Sequence, residues 1–143
     1  MKLPGWTVVV LQTVFEMKSA DRLHKTLRQL PDDSTGKVVA DLLDERKFRL
    51  IPKFLNHDLK HAVLDYEMKM EDEIKMQAYL VGNGNYTWPC LLFLSLGIFR
   101  PKIWKELIIH YNQGKRTPSI FHLNLEDVMH IPVEQLKTKF GRK

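Results

Sequence analysis

The sequence predicts an all-α domain, and three observations carry that prediction. Apolar residues recur mainly at three- and four-residue spacing. Glycine and proline fall between the periodic stretches rather than inside them. The one segment that could extend as a strand, Thr7-Val8-Val9-Val10-Leu11, has no second strand to pair with. A chain of 143 residues, 44% apolar and 27% charged, matches the size and composition of one folded domain, so a single domain over 1–143 is expected.

The elements follow in order. A first helix is expected from about Trp6 to Lys18. Ser19 reads as the N-cap of a second, which holds Leu23, Leu27 and Leu30 on one face before Pro31 ends it. Pro31-Asp32-Asp33-Ser34 makes a loop and cap, and Gly36 to Arg46 a helix with Val38, Val39, Leu42 and Leu43 turned inward. Pro52 starts a helix through Leu64, and another runs from about Met70 to Val81. Gly82-Asn83-Gly84-Asn85 is the clearest break. An apolar helix from Trp88 to Ile98 follows, and Pro101 opens one through Tyr111 that stops at Gly114. Asn124 caps a short turn around Leu125 to Met129, and Pro132 opens a last helix that closes at Gly141.

Composition removes several classes of function. The only cysteine, Cys90, excludes an internal disulfide and a thiolate zinc cluster. Between Pro89 and Leu91-Leu92-Phe93-Leu94 it reads as a buried structural thiol in a reducing compartment. Lys and Arg give a net charge of +5, yet four of the positive charges lie in the last seven residues, Lys137 to Lys143. With no nucleic-acid module around it, this is a solvated tail, and no nucleic-acid partner is expected. The N-terminus from Met1 to Trp6 shows neither a signal nor a transit peptide. The longest apolar stretch, Trp88 to Phe99, falls short of the ~20 residues that cross a bilayer. A cytoplasmic protein follows, meeting a membrane peripherally, from its inner face, if at all.

Chemistry concentrates in Asn56-His57-Asp58-Leu59-Lys60-His61. His57 and His61, four residues apart, lie one turn apart on one helix face, so two neutral imidazoles can share a metal ion. Asp58 lies about 100° round the helix, placed to reach the metal at the edge of that face or to orient an imidazole. A third ligand must come from elsewhere, and Glu73 on the next helix is the natural candidate. A straight helix from His61 to Glu73 would separate them by ~18 Å, so the chain must turn between about Asp65 and Lys69, where no Gly or Pro marks a turn. A His/His/carboxylate set with an open position suits zinc first and non-haem iron equally in geometry; magnesium prefers all-oxygen shells. Two histidines at this spacing also occur simply on a polar helix face.

The arrangement His57-Asp58-Leu59-Lys60-His61, eleven residues, then Glu73 resembles the pattern of the ubiquinone biosynthesis protein Coq-four family. Leu30 to Asp41 is similar to the family's proline, small hydroxyl residue and glycine leading into a helix, and Tyr111-Asn112-Gln113-Gly114-Lys115-Arg116 to its glycine and basic helix end. Leu125-Glu126-Asp127 through Val133-Glu134-Gln135-Leu136 resembles its C-terminal pair of short helices. The resemblance covers roughly Leu27 to Gly141. The chain departs from it at Lys60, where the family often has an aromatic residue, and at Leu64-Asp65-Tyr66-Glu67, where it has a Gly-containing turn.

What the resemblance implies is an all-helical, peripherally membrane-associated protein of coenzyme Q synthesis. His57, Asp58, His61 and Glu73 would hold a divalent metal. The substrate would be a polyprenylated quinone head-group precursor undergoing oxidative decarboxylation, and the partners the other quinone-biosynthesis proteins; self-association is left open. Two further readings stand beside it: a non-catalytic isoprenoid-lipid-binding scaffold, and a metal-dependent phosphohydrolase built on an adjacent His-Asp pair, which would need further His and Asp ligands.

Other residues carry plainer expectations. Trp88, Phe93, Phe99 and Trp104 with their leucine neighbours suit a prenyl channel or membrane contact as well as core. Met17, Met68, Met70 and Met76 read as gap-fillers, Ser34, Thr35 and Gly36 as a helix cap rather than a phosphate site, and His24, His110, His122 and His130 as surface or satisfied core residues.

Overall fold

The computed structural model describes residues 5–141, with side chains from residue 9 onward except that of Leu11. Met1 to Pro4, on which the reading of the N-terminus partly rests, and Arg142 and Lys143 of the basic tail lie outside the described residues. Eight α-helices form among the described residues: α1 Gly5–Arg28, α2 Thr35–Glu45, α3 Leu55–Leu64, α4 Met70–Gly82, α5 Trp88–Ser95, α6 Trp104–Arg116, α7 Leu125–Val128 and α8 Val133–Phe140. Single 3₁₀ turns lead into α3 and α6, each begun by a proline, and another extends α5. No strand forms among them; one isolated bridge joins Ser34 and Pro132. The all-α expectation is met.

Two helix boundaries differ from those read in the sequence. α1 runs unbroken through Ser19, expected as a helix start. No Gly or Pro lies between Trp6 and Leu30, and an interior serine costs only about 0.5 kcal/mol. Partners on other segments also hold the continuous helix: Arg49 Nε donates to Asp21 at 3.0 Å and Arg28 Nε to Asp44 at 2.7 Å. The second difference is at Gly114, expected to end a helix. It lies inside α6, where a Cβ would come within 2.0 Å of the Tyr79 carbonyl oxygen; a Cβ at Gly82 would come as close to that of Tyr111. These two glycines let α4 and α6 pack backbone to backbone, so at Gly114 the missing side chain serves close approach rather than termination.

The remaining packing follows the apolar faces. α1 packs on α2, α2 on α3 and α7, α3 on α8, and α4 on α5 and α6. Leu27, Val39, Leu43, Leu59, Val63, Met76, Leu80 and Leu136 meet in one core. Tyr79, fully buried, donates its hydroxyl to the Phe140 carbonyl at 2.9 Å and lies 2.6 Å from the Thr117 hydroxyl, tying α4 to the ends of α6 and α8. Ser34 caps α2 by accepting from the Lys37 N–H, while the Thr35 and Gly36 N–H groups donate to the Ile131 and Met129 carbonyls. That helix start is thus filled by the α7–α8 segment, as a cap and not a phosphate site.

Candidate metal centre and its cleft

The turn that brings Glu73 back to α3 is made without glycine or proline. Asp65 takes the left-handed conformation, φ 57° and ψ 42°, as the C-cap of α3. Aspartate tolerates this region better than most residues because its short polar side chain bonds locally. Its carboxylate lies 3.0 Å from Lys137 Nζ. The Asp72 carboxylate then accepts from the Glu67 N–H at 2.9 Å, which folds the loop onto the first turn of α4.

Through this turn Glu73 reaches both histidines. Its Oε1 lies 3.0 Å from His57 Nε2 and its Oε2 3.0 Å from His61 Nε2. One ligand atom from each of the three residues falls within 4.8 Å of the others, so the group can hold a metal ion. The donor set fits one: neutral imidazole and carboxylate bind zinc at about 2.0–2.2 Å, which sets their atoms roughly this far apart. His61 is fixed most firmly. Its Nδ1 donates to the Tyr66 carbonyl at 2.9 Å, leaving the Nε2 lone pair toward Glu73. An imidazole lone pair and a carboxylate oxygen 3.0 Å apart need a proton or a cation between them.

Asp58, expected among the ligands, falls outside this group. It is buried, and its Oδ1 lies 3.6 Å from His57 Nδ1, on the opposite edge of the ring from Glu73. The 100° step from His57 that allowed either role in the sequence places it behind the imidazole. Burial works against a charge on His57, but the Asp58 and Glu73 carboxylates flanking it prevail and raise its pKa to about 9. Burial likewise works to raise Glu73, yet the two imidazoles and Gln77 hold it far below the usual carboxylate range.

Gln77, one turn beyond Glu73 on α4 and buried, donates its amide to Glu73 Oε1. The sequence reading missed it, although its four-residue spacing from Glu73 was a usable signal. It also missed the Tyr66 carbonyl, for which no sequence signal exists. Tyr66 is anchored in turn by its hydroxyl, 2.7 Å from His110 Nδ1 on α6. Of the other histidines, His24 is buried 3.3 Å from Asp44, and His122 and His130 are exposed.

The three residues sit in the wall of a cleft of about 790 Å³. Its apolar lining comes from Leu43, Phe48, Ile51, Phe54, Leu80 and Phe93, and Met68 and Met70 join it from the α3–α4 turn. Cys90 also lines it and is buried, and that burial pushes the thiol up to about 11, in keeping with a structural role. Lys60, between the two histidines in sequence, also lines it.

Fold and site together define an all-helical domain with a candidate His/His/Glu metal centre opening on an apolar cleft. No protein-family model matches the chain, and no curated protein matches it. Among the described residues no helix is long and apolar enough to cross a membrane.

Proposed function

We propose that the protein holds a divalent metal ion, zinc by preference, on His57, His61 and Glu73 and uses it on a quinone-like, polyprenylated aromatic substrate lying in the adjoining cleft. The observation that carries this reading is the coincidence of the three ligating residues with a large apolar cleft. A site built for water-soluble metabolites has no need of such a lining, whereas cofactor and lipid pockets combine an apolar wall with a few convergent polar groups. The ion would act as a Lewis acid on a ring oxygen or carboxylate of the substrate. The protein's residues do the rest. Tyr66 and Gln77 orient the ligands, Asp58 steadies His57 from behind, and Phe48, Phe54 and Phe93 exclude water from the aromatic ring. The resemblance of residues 27–141 to the ubiquinone biosynthesis protein Coq-four family supports the same assignment and suggests oxidative decarboxylation of the head-group precursor, in which the ring carboxylate leaves as carbon dioxide, a hydroxyl takes its place and dioxygen, supplied from solution, accepts the two electrons.

A second reading, an isoprenoid-lipid-binding scaffold at a membrane surface, is favoured by the outer face of α5 and α6. Trp88 and Phe99 are 75% and 84% exposed there, beside exposed Ile98, Trp104, Ile108 and Ile109. Lys102 and Lys105 stand among them, a composition suited to an anionic lipid interface.

Elemental analysis of the purified protein beside His61→Ala tests the first reading. One bound metal ion per chain, lost in the variant, is expected; negligible metal in both sinks the site. With metal established, conversion of a prenylated hydroxybenzoate by the native chain alone separates enzyme from scaffold. Binding without conversion favours the scaffold.

A further inference from the structure

The cleft holds a cation that no partner among the described residues answers. Four basic residues line it: Arg49, Lys53, Lys60 and Lys69. Arg49 is forked onto Asp21, Lys69 is paired with Glu67, and Lys53 is exposed at the rim. Lys60 is different. It is half-buried on α3, and among the described residues it has no hydrogen bond or ion pair. The titratable group nearest enough to interact with its ammonium is Cys90, across the cleft wall. Partial burial of an ammonium without a partner is costly, so a protein that keeps one at the wall of a ligand-sized cavity gains from it only when an anion arrives.

We infer that Lys60 is a specificity-determining residue that binds the anionic head of an apolar ligand, and that this head is a monoanion such as a carboxylate. The charge follows from the wall. Two carboxylates, Asp58 and Glu73, stand in the same lining, each already beside a histidine, so a second negative charge on the head would be repelled by them and would find no half-buried cation without a partner besides Lys60 among the described residues. The orientation follows too. Lys60 lies one helical turn from His57, so a ligand anchored there presents its head beside His57 and His61 and lays its apolar body along Phe48, Phe54 and Phe93. The inference rests on reading the cleft as the ligand site and does not require the metal.

The test measures binding of decanoate, decyl phosphate and decanol, by displacement of a fluorescent apolar probe, to the native protein and to Lys60→Met and Lys60→Arg. It is made first on metal-free protein, so that coordination of the carboxylate by a metal cannot imitate the effect, and then with zinc added. Decanoate is expected to bind about tenfold tighter than decanol to native protein and Lys60→Arg, and no tighter in Lys60→Met. Decanol affinity should be the same in all three, which shows the cleft intact. Lys60→Met should also melt no lower than native, because it removes an unanswered charge. Equal decanoate affinity in native and Lys60→Met overturns the assignment, and tighter binding of decyl phosphate than decanoate overturns the monoanion. Lack of zinc uptake with the decanoate preference kept would overturn the metal centre alone.

Discussion

His61 Nδ1 donates to the carbonyl oxygen of Tyr66 across 2.9 Å, and this one bond decides which nitrogen of His61 faces Glu73. A carbonyl can only accept, so Nδ1 carries the proton and Nε2 is left for a metal ion. The carbonyl is in place because the backbone turns at Asp65, one residue earlier.

That turn is open to a direct test. Asp65→Val should destabilise the protein by about 1–2 kcal/mol, since a β-branched residue resists the left-handed conformation. Asp65→Gly should cost little, because the exposed ion pair with Lys137 that it removes is worth about 0–1 kcal/mol. Urea denaturation of both variants decides it, and an equal loss in the two would show that backbone conformation is not the cause.

Gln77→Leu should leave the fold intact and weaken zinc binding by about 10–100-fold, the usual consequence of removing a group that orients a ligand. Competition with a metal-sensitive dye reads the affinity, with circular dichroism as the check on folding. Unchanged affinity would mean that the amide bond to Glu73 does not bear on the metal.

Gly114→Ala places a methyl group against the Tyr79 carbonyl, and α4 and α6 must separate to admit it. A loss of about 3 kcal/mol or more is expected, at the upper end for overpacking because backbone rather than a mobile side chain is struck. Thermal denaturation measures it. A melting point within a degree or two of native would refute the close approach of the two helices.

Metal-free and zinc-loaded protein should respond to pH differently. In the metal-free chain the pKa of His57 is raised from 6.5 to about 9, so its contribution is full below 6.5 and fades as pH rises through about 9. Screened at a ring about one-third exposed, that amounts to about 1–2 kcal/mol. Glu73 has a lowered pKa, so its contribution is present above 4.5 and is lost only in strong acid. Zinc must displace the His57 proton, so its affinity should rise by up to about tenfold per pH unit below 9. Melting curves with and without zinc between pH 6 and 9 should diverge as pH rises; parallel curves would exclude His57 as a ligand.

Much of the fold was legible because it is local. The prolines at 52, 101 and 132 and the break at residues 82–85 mark helix boundaries within a residue or two, since each acts on its own stretch of backbone. Ser19 misled because a cap residue is a preference that a continuous apolar face and outside ion pairs override. Gly114 misled because the sequence cannot distinguish a glycine that ends a helix from one that admits a neighbouring helix.

The candidate site divides along the same line. Four-residue spacing alone put His57 and His61 on one face of α3, since helical geometry depends only on position in the chain. The tertiary structure decided the rest. The left-handed turn at Asp65 brought Glu73 within 3.0 Å of both rings, Asp58 fell behind His57, and the cleft formed between α3, α4 and α5 with Lys60 in its wall. Apart from the neighbours His57 and Asp58, whose choice between two roles the site decided, those relations join residues on different elements, and only the path of the chain between helices and their packing against one another set the distances between them.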